Sequence, residues 1–167
     1  MAIKEVLTYP NPLLKEIAED VTEIDDKVKQ VIQDLKDTME GSGHSVGIAA
    51  PQIGELYRII AIDPGKNKKC KEHHGQRIMI NPVILKWEGI KPFREGCMSV
   101  PDYTGNVNRA RKILVQFRDE NFEERVFETE DFEAILIQHE SDHLDGILFI
   151  DRVISRRTDL FRRKKYK

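Results

Sequence analysis

A chain of 167 residues is long enough for one substantial hydrophobic core, and residues 1–167 read as a single domain with one site. Its 27 basic and 29 acidic residues nearly cancel to a formal net charge of −2, so charge gives no case for nucleic acid or an anionic membrane as the main partner. Two cysteines, Cys70 and Cys97, are too few for a disulfide framework and fit a reducing compartment, where a thiol is a ligand, a nucleophile or a core residue. No apolar run approaches the roughly 18 residues of a membrane span, and Met1 to Asn11 lack the order of a signal peptide, so the expected location is the cytoplasm.

In chain order, Tyr9-Pro10-Asn11-Pro12 is stiffened by two prolines and predicts an extended arm over the body. From Asp25-Asp26 the apolar residues Val28, Val31, Ile32, Leu35 and Met39 form one helical stripe, stopped by Gly41 and Gly43. Lys27, Lys29, Gln30, Asp34 and Lys36 are expected on its exposed face. Short strands are predicted at Arg58 to Ile62, Arg77 to Ile80, Val83 to Leu85 and Arg111 to Arg118. The last turns at Asp119 to Asn121 into Glu124 to Glu128, as an antiparallel hairpin. The polar segment Lys66 to Gln76 reads as an exposed loop. A second helix is predicted from about Glu130 to Asp145, with acids at its N-terminal end and Gly146 as its stop. Strands grouped between an early and a late helix suggest an α+β fold.

On that second helix His139-Glu140-Ser141-Asp142-His143 is an H-E-x-x-H motif. Four residues are just over one turn, so both imidazoles project side by side and can bind one metal ion, with Glu140 facing the water it activates. The ordinary alternative is a pair of satisfied core histidines. A catalytic metal site usually takes three protein ligands. Phe149 stands where one protease pattern needs a third histidine, and no glutamate follows Glu140 to serve the other. Asp145, Asp151 and Asp159 remain as acidic candidates, but Cys97, in Glu95-Gly96-Cys97-Met98-Ser99, would complete a Cys, His, His set and is favoured. Its alternatives are a small buried hydrophobe or a Cys–His nucleophile. Cys70, His73 and His74 form a second cluster, in the polar loop and without a scaffold. Ser45-Val46-Gly47-Ile48-Ala49-Ala50-Pro51-Gln52 combines small residues with an amide donor; alone it suits a tight core crossing as well as a ligand site.

Gly47-Ile48-Ala49-Ala50-Pro51-Gln52, Glu95-Gly96-Cys97-Met98-Ser99 and Gln138-His139-Glu140-Ser141-Asp142-His143-Leu144-Asp145-Gly146 together resemble the three ordered motifs of the peptide deformylases. The resemblance extends to the Tyr9-Pro10 arm and to the chain length. It implies antiparallel sheets packed around a central H-E-x-x-H helix, with the earlier amphipathic helix and a short C-terminal helix. It implies that Cys97, His139 and His143 bind a divalent metal ion, Fe2+ in the cell, with Zn2+, Ni2+ or Co2+ able to substitute. Glu140 is then the general base and acid, and the Gln52 side chain and Met98 backbone N–H bind the formyl oxygen. The Gly47 backbone would pair with the substrate peptide, and Glu95 and Ile135 would shape the methionine pocket. Ser45 stands where the family usually has glycine, Met98 where leucine is usual, and Thr104 where some members carry a substrate-contacting arginine.

The implied activity is removal of the formyl group from N-formylmethionyl nascent peptides. A zinc endopeptidase and a non-catalytic peptide-binding relative are the rival readings. The tail from Arg156 to Lys167 carries seven basic residues and one acid; it reads as a solvated helix end or as a contact for the ribosome.

Overall fold

The computed structural model describes residues 3–43, 45–70 and 73–162. Helix α1 spans Asp26–Ser42. It starts where the Asp25 carboxylate accepts the Val28 N–H at 2.8 Å and ends at Gly43, whose φ of 76° is the left-handed conformation a glycine stop supplies. Val28, Val31, Ile32, Leu35 and Met39 are buried as the stripe predicts. Asp34 is not on the exposed face: it is buried, because the N-terminal arm lies over that flank. There Lys4 Nζ sits 3.9 Å from the Asp34 carboxylate and the Lys4 N–H donates to Thr38 Oγ1 at 2.9 Å. Gln30 Nε2 also donates to Asp34.

One antiparallel sheet of six strands follows, in place of the plural sheets expected. Its strands are β1 (Gly47–Ala49), β2 (Ile59–Ile62), β3 (Arg77–Cys97), β4 (Val100–Arg118), β5 (Glu124–Glu130) and β6 (Leu160–Arg162). The first five pair in chain order, and β6 pairs with β4. Every residue of β2 is buried. Ile59 and Ala61 pack toward Leu35 and Met39 of α1, while Ile60 and Ile62 pack toward Leu136 and Ile137 of α2 (Asp131–Leu144). A strand covered on both faces reads as a continuous apolar run, which is why the alternation of a half-buried strand is missing there.

The two short strands expected at residues 77 and 83 are one strand, β3. A register shift between Ile80 and Val83 absorbs Pro82. Asn81, at φ 51°, turns its side chain out to bond the Val21 N–H and carbonyl, at 2.9 and 2.8 Å. Strand β4 likewise begins eleven residues before Arg111, at Val100. Residues 85–92 of β3 all face water and carry no core pattern to read, while the buried positions at the start of β4 include Gly105 and Arg109, which an apolar pattern does not mark. The β4–β5 hairpin forms where expected.

The short C-terminal helix is absent from the described residues. A single 3-10 turn at Phe149–Asp151 is followed by β6, which lies along Tyr103–Gly105. Gly105 permits that approach, since a Cβ there would sit 2.6 Å from Val153 and 3.2 Å from the Asp159 carbonyl. The end of the basic tail, residues 163–167, lies outside the described residues. No helix among the described residues is long and apolar enough to cross a membrane.

Candidate metal centre

Cys97 is the last residue of β3, and Met98 and Ser99 turn the chain directly into β4, where Val100 pairs back with Cys97. That tight turn delivers the thiol to the face of α2 carrying the two histidines. Cys97, His139 and His143, all buried, offer ligand atoms within 4.8 Å of one another. It is the one such group of three among the described residues. Cys97 Sγ lies 3.4 Å from His143 Nε2, and the two imidazole centroids are 5.3 Å apart.

The donor set suits a divalent cation. His139 Nδ1 is 2.7 Å from Glu95 Oε1, which leaves its Nε2 as the free donor, the carboxylate-to-histidine arrangement that orients metal ligands. Glu95 is itself gripped by Arg109, through Nε at 2.7 Å and Nη2 at 2.8 Å. Arg109 Nη1 donates to Asp142 at 2.6 Å, and Asp142 also accepts two bonds from Arg152. Burial would raise the Glu95 pKa, but Arg109 and His139 outweigh it and hold the carboxyl at about 2. Burial likewise opposes charge on His139, yet the Cys97 thiol and Glu95 favour its protonated form and raise it. Burial, reinforced by His139 and Arg109, lowers His143, so that ring stays neutral and ready to ligate. A cation competes with protons for all three ligands.

Glu140, between the histidines, is 4% exposed, and its Oε1 has no hydrogen-bond partner among the described residues. Burial pushes its carboxyl up to about 7. Such a group exchanges protons near neutrality. Gln52 stands on a 3-10 turn at Ala50–Ile53. Its Oε1 accepts the Ala49 N–H at 2.9 Å, and its Nε2 points inward, 3.0 Å from Ser99 Oγ and 3.4 Å from Cys97 Sγ.

Gln52, Cys97, His139 and Glu140 border a cavity of ≈ 260 Å³ whose lining includes Gly47, Arg94, Met98, Phe132 and Ile135. Glu95 borders it too, but its carboxylate is committed to Arg109 and His139. A Cβ on Gly47 would fall 2.8 Å from Glu140 Oε2 and 2.9 Å from Leu136, so β1 and α2 approach with no room for a side chain. Ser45 Oγ donates to the Gly47 carbonyl at 2.9 Å, using one of the two lone pairs of that acceptor.

The other candidates are elsewhere. Asp145 pairs with Arg58, Asp151 with Lys15, and Asp159 accepts from Asn106. Phe149 packs beside His139, with ring centroids 6.4 Å apart. In the polar loop His74 stacks on Phe127 and bonds Glu133, and no three ligand atoms converge there among the described residues. The sequence reading missed Ser99, Arg109 and Arg94. Asp142 was inside the motif, one turn from His139, and that spacing could have marked it as a partner for the same face.

An α+β scaffold that gathers one thiol and two imidazoles beside an unpaired buried carboxylate at the edge of a cavity defines a metal-dependent hydrolase site. The family model for polypeptide deformylase matches residues 3–159, and this chain belongs to that family. It is 44% identical to a peptide deformylase of Syntrophomonas wolfei over 159 residues, covering 95% of this chain and 99% of that relative. It also superposes on a crystal structure of a peptide deformylase from Legionella pneumophila with TM-score 0.83 and 38% identity, covering 91% and 86% of the two chains. The Thermotoga maritima peptide deformylase structure gives TM-score 0.84 and 31% identity, covering 93% and 100%.

Proposed function

We propose that this chain, as one deformylase domain over residues 1–167, hydrolyses the formyl amide of N-formylmethionyl nascent peptides in the cytoplasm, releasing formate. The observation that carries the reading is the convergence of Cys97, His139 and His143 beside the unpaired carboxylate of Glu140. Helix α2 is the central element of the site, and its packing against β1, β2, β4 and β5 supports that role.

Cys97, His139 and His143 would hold the cation, with Fe2+ as the cellular ion and Zn2+, Ni2+ or Co2+ as substitutes. The chemistry a divalent cation supplies there is Lewis acidity, which makes water nucleophilic near neutral pH. Glu140 takes the proton of the attacking water and passes it to the departing amine, a transfer suited to a carboxyl that burial has raised. The Gln52 amide and the Met98 N–H donate to the oxygen of the formyl group as charge develops on it; one such donor is typically worth about 3–4 kcal/mol. The Gly47 backbone pairs with the peptide, and Ile135 packs against the methionine side chain while Glu95 steadies that wall.

The test supplies formyl-Met-Ala-Ser and its unformylated counterpart to anaerobically purified, metal-analysed protein. Formate from the first alone supports the reading. Cleavage of internal peptide bonds supports a zinc endopeptidase instead, and metal-replete protein that binds the peptide without turnover supports a non-catalytic relative.

A further inference from the structure

The cavity has one charged group whose neighbours leave its charge unanswered. Arg94 borders the cavity three residues before Cys97, on the exposed arm of β3. Its Nε donates to Thr104 Oγ1 at 3.2 Å across the β3–β4 pair, and its guanidinium carbon lies 3.7 Å from the centroid of the Phe161 ring on β6. The side chain is therefore held by a hydroxyl and an aromatic face, neither of which neutralises it. No carboxylate lies within 4.0 Å of it among the described residues, although the chain is rich in surface ion pairs. The other charged groups of the cavity are occupied: Glu95 by Arg109 and His139, and Glu140 deep beside the ligands.

Distance sets what such a cation meets. Three strand residues span roughly 10 Å. A peptide whose formyl group lies beside Cys97 and whose backbone runs extended along the arm brings its second and third residues within reach of the Arg94 guanidinium. A guanidinium pre-oriented by stacking, with donors to spare, recognises a carboxylate.

Resting on the deformylase reading above, we propose that Arg94 is a specificity-determining residue, which selects substrates carrying a carboxylate side chain on the two residues that follow the formylated methionine. Thr104 and Phe161 are positioning residues for it. Strand β6 supplies the platform.

The test compares kcat/KM at low ionic strength for C-terminally amidated formyl-Met-Ala-Glu, formyl-Met-Glu-Ala and their glutamine counterparts. Amidation removes the terminal carboxylate as a second source of charge. A half-exposed ion pair supports an acidic preference of about two- to fivefold, carried in KM and fading as salt is raised. Arg94→Gln abolishes the ratio, Arg94→Glu inverts it, and Phe161→Leu reduces it. Because each ratio is taken within one protein, it does not depend on the amount of active enzyme. Formate release with equal kcat/KM for acidic and neutral peptides, or a preference that survives Arg94→Gln, overturns this inference and leaves the deformylase reading standing. Absence of formate from every formylated peptide overturns both.

Discussion

Glu133 and Glu140 lie two turns apart on α2, and both are buried, at 0% and 4% exposure. Glu133 is satisfied on every side. Its oxygens accept the His74 N–H at 2.7 Å, the His74 ring nitrogen at 2.6 Å and the Thr129 hydroxyl at 2.7 Å. Glu140 has one oxygen with no partner among the described residues. The first carboxylate ties the polar loop to the start of the helix. The second is held at a cost in solvation and is left free to exchange a proton. On one helix, hydrogen-bond satisfaction rather than burial separates a carboxylate that is tied into the fold from one that is left unpaired.

The sharpest way to break the comparison is Glu140→Gln. Formate release should fall by about 10²- to 10⁴-fold, while metal content and Tm stay at the parent level. Near-parent turnover would place the proton transfer elsewhere. Arg109→Met should cost about 3–5 kcal/mol in urea unfolding, because it leaves Glu95 and Asp142 buried without their shared cation. A smaller loss, with metal affinity intact, would show that His139 does not depend on that chain of partners. Glu133→Ala should cost about 1–3 kcal/mol through its stranded donors, and kcat should change less than twofold. A collapse of kcat there would erase the distinction.

The smallest effect concerns a satisfied carboxylate at the surface. Asp119 is held below its ordinary pKa, chiefly by the hydrogen bond from Arg125, with burial opposing and the Glu123 and Asn121 N–H groups assisting. The folded carboxylate binds its proton more weakly than the unfolded one, so protonation favours unfolding. Its contribution is complete above the unfolded pKa of about 3.9 and is lost as pH falls through the lower folded value. Thermal melts of the parent and Asp119→Asn should therefore converge only in acid; a constant gap down to the lowest pH would remove the assignment.

Helix α1 was legible to within a residue because caps and apolar period agree there, and the motif helix was legible from the acids at its start and the Gly146 stop. The grouping of Cys97 with His139 and His143 was legible in two of the three motifs. The middle of β3 was not, since residues 85–92 are exposed on both faces, and the start of β4 was not, since its buried positions include Gly105 and Arg109. Neither was the chain linking Glu95, Arg109, Asp142 and Arg152, whose members meet from separate elements with no local spacing to announce them. The short C-terminal helix is not found among the described residues for a related reason: the close approach at Gly105, on another strand, lets β6 lie along β4.

Gly146 follows the motif helix, and a side chain there would collide with the Lys15 carbonyl of the N-terminal arm. Beside it the Ala18 N–H donates to the Leu144 carbonyl, which also accepts from Arg58. The arm is thus sewn onto the last turn of the helix that carries both histidines. During synthesis the arm leaves the ribosome early and can rest first on α1, but its seam with α2 forms only once residue 144 has followed it out, so that part of the fold closes late.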